Sequence, residues 1–500
     1  MAIRPHGVGV RGFTLSRSSP LFEGPFGRIF RALPPAEFGP NDSASTAALM
    51  ALGAAMVAPL DPPKDDPDDE ESGIPAAYTY FGQFIDHDLT FDPASSLQRQ
   101  NDPDALVDYR SPRFDLDNLY GRGKDDQPYL YDGGKFILGS PLSGAATNPR
   151  ARDLPRSSTG RAIIGDPRND ENTIISQLQG LLHRFHNKIA DNDPSATFEQ
   201  VQREVRFHYQ WVVLHDFLPA IVDAAVLEKV LPHHPHGPLK PHLEFYRPKN
   251  ETFMPLEFSA AAYRFGHSMV RPGYRLSETI GPLPIFTASG APGSSLTGFQ
   301  PFPPSWALDW NKFIDLDLRD PDDSTRVQLS YKIDTSIVNP LGALPPAVAK
   351  DPPLSLAQRN LIRGWRMRLP SGQDVARAMG LTPLNDDQIV IGKFTGKAAD
   401  VLIPINTIAP PAFVKNCPLW TYILAETHQV DVPLKTTKGV RHFKTRRLGP
   451  VGGRIVAETI VGLLAFDSQS FLSQDPLWRP SLAVHDRFGL RELIAAALSH

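Results

Sequence analysis

GDPRNDENTIISQLQGLLHRFHNKIADND, residues 165–193, sets the fold class of this 500-residue chain. Asp166 is a candidate N-cap, and Pro167 stands at the first helical position, where a missing N–H costs nothing. Ile174, Ile175, Leu178, Leu181, Leu182 and Ile189 then recur at helical spacing. A second long helical pattern follows at once, TFEQVQREVRFHYQWVVLHDFLPAIV (197–222), and shorter ones fall near 256–270, 354–367, 373–380 and 453–465. Strand signals are short and scattered, as around 388–394, and no internal repeat is visible. The 50 prolines limit helix length and favour ordered, irregular connections. The expected fold is mainly α, with little β-structure and long proline-rich loops. One domain is expected over 76–500, with 92–165 mostly loop. Ahead of it, 1–75 reads as an irregular arm ending in an exposed acidic connector, APLDPPKDDPDDEESGIP (58–75).

Bulk numbers exclude several classes of function. With 21% charged residues and a net charge of −4, no basic excess points to nucleic acid, and no acidic bias points to a disordered chain. The single cysteine, Cys417, allows neither an intrachain disulfide nor a thiolate metal site. The most apolar run, TAALMALGAAMVAPL (46–60), falls short of the ~20 residues that span a bilayer. MAIRPHGVGVRGFTLSRSSP at the start lacks the apolar core of a signal peptide, so a cytoplasmic protein is expected, with non-classical secretion as the alternative.

Upstream of the long helices stands YFGQFIDHDLTFDP (80–93), a helical stretch from about Tyr78 to Leu89. At about 100° per residue, Gln83, Asp86 and His87 share one face, while Asp88 lies about 140° around from Gln83. Tyr80, Phe81, Phe84, Ile85, Leu89 and Phe91 surround them and imply burial. Asp88 has possible partners in SPRFDLDNLYG (111–121), where Ser111, Arg113 (through its carbonyl), Asp115 and Asp117 alternate. Alternation of this kind lets a loop wrap oxygens around a hard cation such as Ca²⁺, although aspartates in loops more often cap turns. Arg168 and Glu171 are an i, i+3 pair at the start of the 165–193 helix, and an ordinary ion pair is the simpler account of them. His183 and His186, on the same helix, read as structural. In AAYRFGHSMVRPGYRL (261–276), His267 follows a glycine in an apolar segment. It becomes a ligand candidate if a partner fixes its other nitrogen, and Asn360 of LAQRNLIRGWRMRLP (356–370) has an amide oxygen able to accept an Nδ1–H bond.

Taken together, GQFIDHDLTF (82–91), SPRFDLDNLYG (111–121), GDPRNDE…LLHRFHNKIA (165–190), YRFGHSMVRPGYRL (263–276), NLIRGWRMRLP (360–370) and LGPVGGRIVAETIVGLL (448–464) resemble the animal-type haem peroxidases. This is the peroxidase–cyclooxygenase superfamily, and the likeness is nearest to its bacterial members. It runs in order from about residue 76 to 480. The resemblance implies a catalytic His87 above the haem, Arg168 beside it, and Gln83 associated with halide and water. It implies His267 as the iron ligand with Asn360 on its far nitrogen, and Arg264 and Arg363 as further haem contacts. Asp86 and Glu171 match the carboxylates that form ester bonds to haem, so ester-linked haem b is expected. Asp88, Ser111, Arg113, Asp115 and Asp117 match a site for one calcium ion.

The implied activity is reduction of hydrogen peroxide with oxidation of phenols, anilines or halides through an oxyferryl intermediate, in a protein expected to be monomeric. Asn172 stands where the chloride-oxidising relative has methionine, which favours bromide, iodide or thiocyanate. The dioxygenase branch places a tyrosine three residues before the iron-binding histidine; here that position is Arg264, and Tyr263 is four before. Fatty-acid dioxygenation and a calcium-dependent binding module with a vestigial haem site are the alternatives, and a zinc hydrolase on His183 and His186 is a remote third.

Overall fold

The computed structural model describes residues 26–59, 67–90, 110–232, 234, 239–249, 252–289, 291 and 293–500. Helix accounts for 38% of the chain and strand for 13%, so the fold is mainly α, as the spacing predicts. The first five α-helices among the described residues are α1 (Asp42–Met56), α2 (Ala77–Leu89), α3 (Asp117–Tyr120), α4 (Thr173–Asn192) and α5 (Phe198–Val212), of which α2 and the approach to α4 border the candidate site. α4 is the central rod. It is buried without interruption from Thr173 to Asn187 and packs against α2, α5 and the C-terminal helix Leu490–Leu498. Helix Pro450–Phe466 is a second rod, buried from Val451 to Leu464. Both are covered on all sides, and the polar residues that α4 buries, such as Gln177, Gln179, Arg184 and His186, are held by hydrogen bonds instead of facing solvent.

α2 owes its position to its neighbours rather than to a cap, because no side chain caps its N-terminus. It follows strand Glu71–Pro75, which pairs antiparallel with Leu329–Tyr331, and it packs against α4. Gly82 allows the close approach of Phe217, whose ring would lie 3.2 Å from an added Cβ.

Several boundaries differ from the sequence reading. Asp166 does cap a turn, accepting from Arg168 N–H, but that turn is a four-residue 3₁₀ segment, Pro167–Asp170. α4 begins only after Asn172, whose Oδ1 accepts from Ile174 and Ile175 N–H. Arg168 and Glu171 therefore sit in the approach to the helix, not on it. The 197–222 helix widens into a π turn over Val213–Phe217 before resuming as Leu218–Ile221. Pro219 has no N–H to give to the carbonyl four residues back, and Leu218 N–H reaches five back to Val213 instead.

The 256–270 stretch splits into Leu256–Ser259 and a 3₁₀ turn, Ala262–His267, while the strand near 388–394 is only Val390–Ile391. Glu71–Pro75, read as part of an exposed connector, is a buried strand because its partner strand and the hairpin described below cover it. α1 likewise turns part of the expected arm into core, burying Leu49, Leu52 and Met56. The rest of that arm before residue 26, the connector at 60–66, Phe91 and the loop region 92–109 lie outside the described residues. The longest strands form a hairpin, His428–Thr436 with Gly439–Arg447. Its charged faces and Pro433 hide the alternation of Val430, Val432 and Leu434 in the sequence. No helix among the described residues is long and apolar enough to cross a membrane.

Candidate active site

α2 presents Gln83, Asp86 and His87 to an internal cavity. The 3₁₀ approach to α4 adds Arg168, Glu171 and Asn172, and the turn Ala262–His267 adds Tyr263, Arg264 and His267. Asp88 faces elsewhere, completely buried against the 111–117 loop. The two faces expected of this helix are thus occupied by two different groups of partners.

His87 is only 5% exposed, and its Nδ1 stands 2.6 Å from Oδ1 of Asn169. Burial, and then the charge of Arg168, push its pKa down to about 4, so the imidazole is neutral at neutral pH. Arg168 is held rigidly for so long a side chain. Its Nη2 donates to the His87 carbonyl at 2.9 Å and to Asp166 at 2.8 Å. Burial alone would raise the pKa of Asp166, but the charges of Arg168 and Arg110 hold it well below the carboxylate range. Arg110 in turn bridges Asp166 (2.5 Å) and Asp117 (3.0 Å). A line of alternating charge, Arg168–Asp166–Arg110–Asp117, therefore runs from the cavity wall to the acidic loop.

Gln83 lies between two neighbours from the α4 approach. Its Nε2 donates to Glu171 and its Oε1 accepts from Asn172 Nδ2 at 3.4 Å. Burial pushes the Glu171 carboxyl up to about 7, against the opposing pull of Arg168 and Gln83. Asp86 lines the same cavity, and Thr90 Oγ1 lies 3.4 Å from its Oδ1.

His267 borders the cavity with Nδ1 2.8 Å from the side-chain amide of Asn360, which sits on helix Leu356–Arg366. Burial, and then the charge of Arg264, push its pKa down to about 3. The nitrogen end of the amide faces the ring, whereas the sequence reading expects the oxygen end. The two ends are equal in shape, and a metal on Nε2 would select the oxygen, since Nδ1 must then carry the proton. Arg264 is anchored by Nε to the Ser259 carbonyl at 2.9 Å. Arg363, one turn beyond Asn360, is half-buried and outside the cavity lining.

Asp88, Asp115 and Asp117 bring carboxylate oxygens within 4.8 Å of one another, and neither oxygen of Asp88 has a hydrogen-bond partner. Burial and mutual repulsion raise the pKa of Asp88 far above its ordinary value, and burial raises Asp117 to about 8. Ser111 Oγ donates to Asp115, and Leu116 adopts φ +63°, a left-handed conformation that a leucine rarely accepts. This donor set suits a hard cation: several oxygens, and two of them buried without any other partner. His183 and His186 do not share a partner, since His183 Nε2 meets Gln179 and His186 bridges Tyr120 and the Gly134 carbonyl.

The sequence reading misses Asp166 as the anchor of Arg168, Arg110 as its bridge, and Asn169 as the partner of His87. Asp166 is visible only as a cap, and Arg110 precedes the acidic loop by one residue. Nothing in the spacing places Asn169 beside a residue 82 positions earlier.

Residues 98–288 match the family model of the animal haem peroxidases, a span that includes Arg168, Glu171 and His267 but begins after His87. Fly (Drosophila melanogaster) peroxidasin is 25% identical over 142 residues, and rat (Rattus norvegicus) thyroid peroxidase is 25% identical over 156. The matches cover 27% and 30% of this chain, but only 9% and 16% of the length of those relatives. In three dimensions the chain is similar to peroxidase A of Dictyostelium discoideum, with a TM-score of 0.60 at 17% identity, covering 92% of this chain and 90% of that one. It is also similar to the fatty acid alpha-dioxygenase of Arabidopsis thaliana, with a TM-score of 0.51 at 13% identity, covering 87% and 71%. At such identities the structural likeness speaks for the fold alone. Over residues 98–288 the chain is similar to the animal haem peroxidase family.

Proposed function

We propose that the cavity is the haem site of a peroxidase that reduces hydrogen peroxide and oxidises small phenols, anilines or halides. The observation that carries this reading is one cavity bordered by two neutral histidines from separate elements, each with Nδ1 against an asparagine. His267 would hold the iron through Nε2, backed by Asn360, with Arg264 close by. Asp86 and Glu171, both on the cavity wall, would hold the haem edge through ester bonds. The redox chemistry is that of the bound haem. The protein moves the protons: Nε2 of neutral His87 takes one from the incoming peroxide and returns it to the departing oxygen, which leaves as water. Arg168, fixed by Asp166 and the His87 carbonyl, stabilises the negative charge that grows as the O–O bond opens. The amide of Gln83 would meet water or a halide, and Asn172 would favour bromide, iodide or thiocyanate over chloride. The acidic cluster behind α2 would bind one calcium ion.

The haem-loaded protein should oxidise a phenolic dye with peroxide. Replacing His87 by Ala should slow the peroxide step by about 10²–10⁴, the usual contribution of a general acid–base residue. A His87→Ala protein with a near-normal peroxide rate would refute the assignment. Chromatography under denaturing conditions checks the ester bonds, because haem that separates freely from the chain excludes them.

One observation favours a second reading, fatty-acid dioxygenation. Tyr263 borders the cavity with its hydroxyl unpartnered, beside the apolar residues Leu341, Leu344 and Val348. Oxygen uptake with a long-chain fatty acid, abolished by Tyr263→Phe, would decide for it.

A further inference from the structure

Behind His87, on the side away from the cavity, runs a line of hydrogen bonds that no step above uses. Nδ1 of His87 meets Oδ1 of Asn169 at 2.6 Å, and Nδ2 of Asn169 donates to Oε1 of Gln179 at 2.8 Å. Nε2 of Gln179 then donates to Nε2 of His183 at 3.0 Å. All four side chains are buried, at 5%, 0%, 0% and 2% exposure. Gln179 and His183 are i, i+4 on α4, so one helix face carries the far half of the line. The ring of His183 lies flat on Phe136, 4.2 Å between centroids and 10° between planes.

A side-chain amide between two partners cannot choose its two ends independently. If Asn169 donates to Gln179, its oxygen must face His87, and Nδ1 of His87 must then carry the proton. The same rule fixes Gln179: its nitrogen faces His183, so Nε2 of His183 must be the unprotonated nitrogen. The line therefore has a direction, and both rings take the same tautomer. With every member buried, no solvent molecule can take the place of a missing partner, and a broken link leaves a costly unpaired group.

We propose that Gln179 and His183 are positioning residues: with Asn169 they hold His87 as the Nδ1–H tautomer and leave Nε2 unprotonated toward the cavity. This deepens the peroxidase reading, since an imidazole can accept a proton from peroxide only through an unprotonated nitrogen. It also gives His183 a role that its position on a buried helix did not suggest. The reverse arrangement, with both amides turned over, would put the proton on Nε2 and close that nitrogen to the peroxide.

¹⁵N NMR of the full-length, histidine-labelled protein reads the tautomer directly, either haem-free or as the diamagnetic ferrous carbonyl complex. His87→Gln identifies the signal. The wild type should show His87 protonated on Nδ1. Gln179→Leu removes the acceptor of Asn169 and should release His87 into a mixture of tautomers or into the Nε2–H form. Gln179→Glu keeps an acceptor for Asn169 and should retain Nδ1–H. His183→Phe keeps a ring on Phe136 while removing the terminal acceptor, and it should act like Gln179→Leu should that variant fail to fold. The peroxide step should slow roughly tenfold or more in Gln179→Leu and less than about threefold in Gln179→Glu. A wild-type His87 protonated on Nε2, or an unchanged tautomer in both Gln179→Leu and His183→Phe, overturns the proposal. A tautomer that shifts as expected while the peroxide rate stays constant upholds the line of hydrogen bonds and overturns the proton-transfer reading of His87.

Discussion

Glu171 should leave its own mark on stability. Burial lifts its pKa from 4.5 to about 7, so the folded chain holds its proton more tightly than the unfolded chain does. A group shifted upward contributes stability that is complete below about pH 4.5 and is lost as pH rises through about 7. The full effect is at most about 3.5 kcal/mol, from about 1.4 kcal/mol per unit of pKa. Glu171→Gln cannot titrate. Relative to that variant, the haem-free wild type should therefore lose stability between pH 5 and pH 8, as read from urea unfolding midpoints. Parallel profiles for the two proteins would mean that Glu171 is ionised throughout. An ester bond at Glu171 would also remove the difference, so the haem-free and haem-loaded proteins should behave differently. At this scale the sequence points to residues that meet at the cavity and hides how they are held. His87, Arg168, Glu171 and His267 stand out in their motifs, but Asp166, Asn169 and Gln179 matter through contacts made only when the 3₁₀ approach to α4 folds against α2.

α4 shows the same limit for an element. Its apolar spacing announces a helix correctly, yet the start read from the sequence, capped by Asp166, is not the start of the helix. The sequence favours Asp166 because Pro167 follows it; in the structure Asp166 closes only a 3₁₀ turn, and Asn172 caps the helix. This is what places Glu171 and Asn172 on the cavity wall, since a helix continuous from Pro167 would rotate them elsewhere. Asn172→Ala removes an oxygen that accepts two backbone N–H groups and should destabilise the protein by about 1 kcal/mol. Asn172→Asp retains the cap and should recover most of that loss in the same chemical denaturation experiment. If Ala and Asp prove equal, the cap is not what holds this end of α4. The hairpin 428–447 escapes the sequence for another reason. Charged residues dominate its alternating pattern, and Pro433 interrupts it, so only its packing against Glu71–Pro75 identifies it as structure.

Across the whole molecule, the acidic cluster joins segments far apart in the chain. Asp88 lies in the last turn of α2, Asp115 precedes α3 and Asp117 opens it, and Arg110 and Asp166 continue the line to Arg168. Three crowded carboxylates, one of them fully buried, hold on to protons to avoid repelling each other unless a cation lies among them. A bound calcium ion would therefore stabilise the folded chain and, through Asp88, the helix that aims His87. At a free concentration 100-fold above its dissociation constant the gain is about 2.7 kcal/mol. Removing calcium with a chelator should lower the unfolding midpoint of the wild type by an amount of that order. Asp88→Asn replaces the buried carboxyl with a neutral amide, so the two proteins should differ only when calcium is present. Without calcium, Asp88→Asn should be about as stable as the wild type, because burial already holds Asp88 in its protonated, uncharged form. With calcium in excess it should be less stable, because a ligand oxygen has lost its charge. A chelator effect of equal size in both proteins would place the cation elsewhere, and the link from acidic loop to active site would then rest on the Arg110–Asp166 bridge alone.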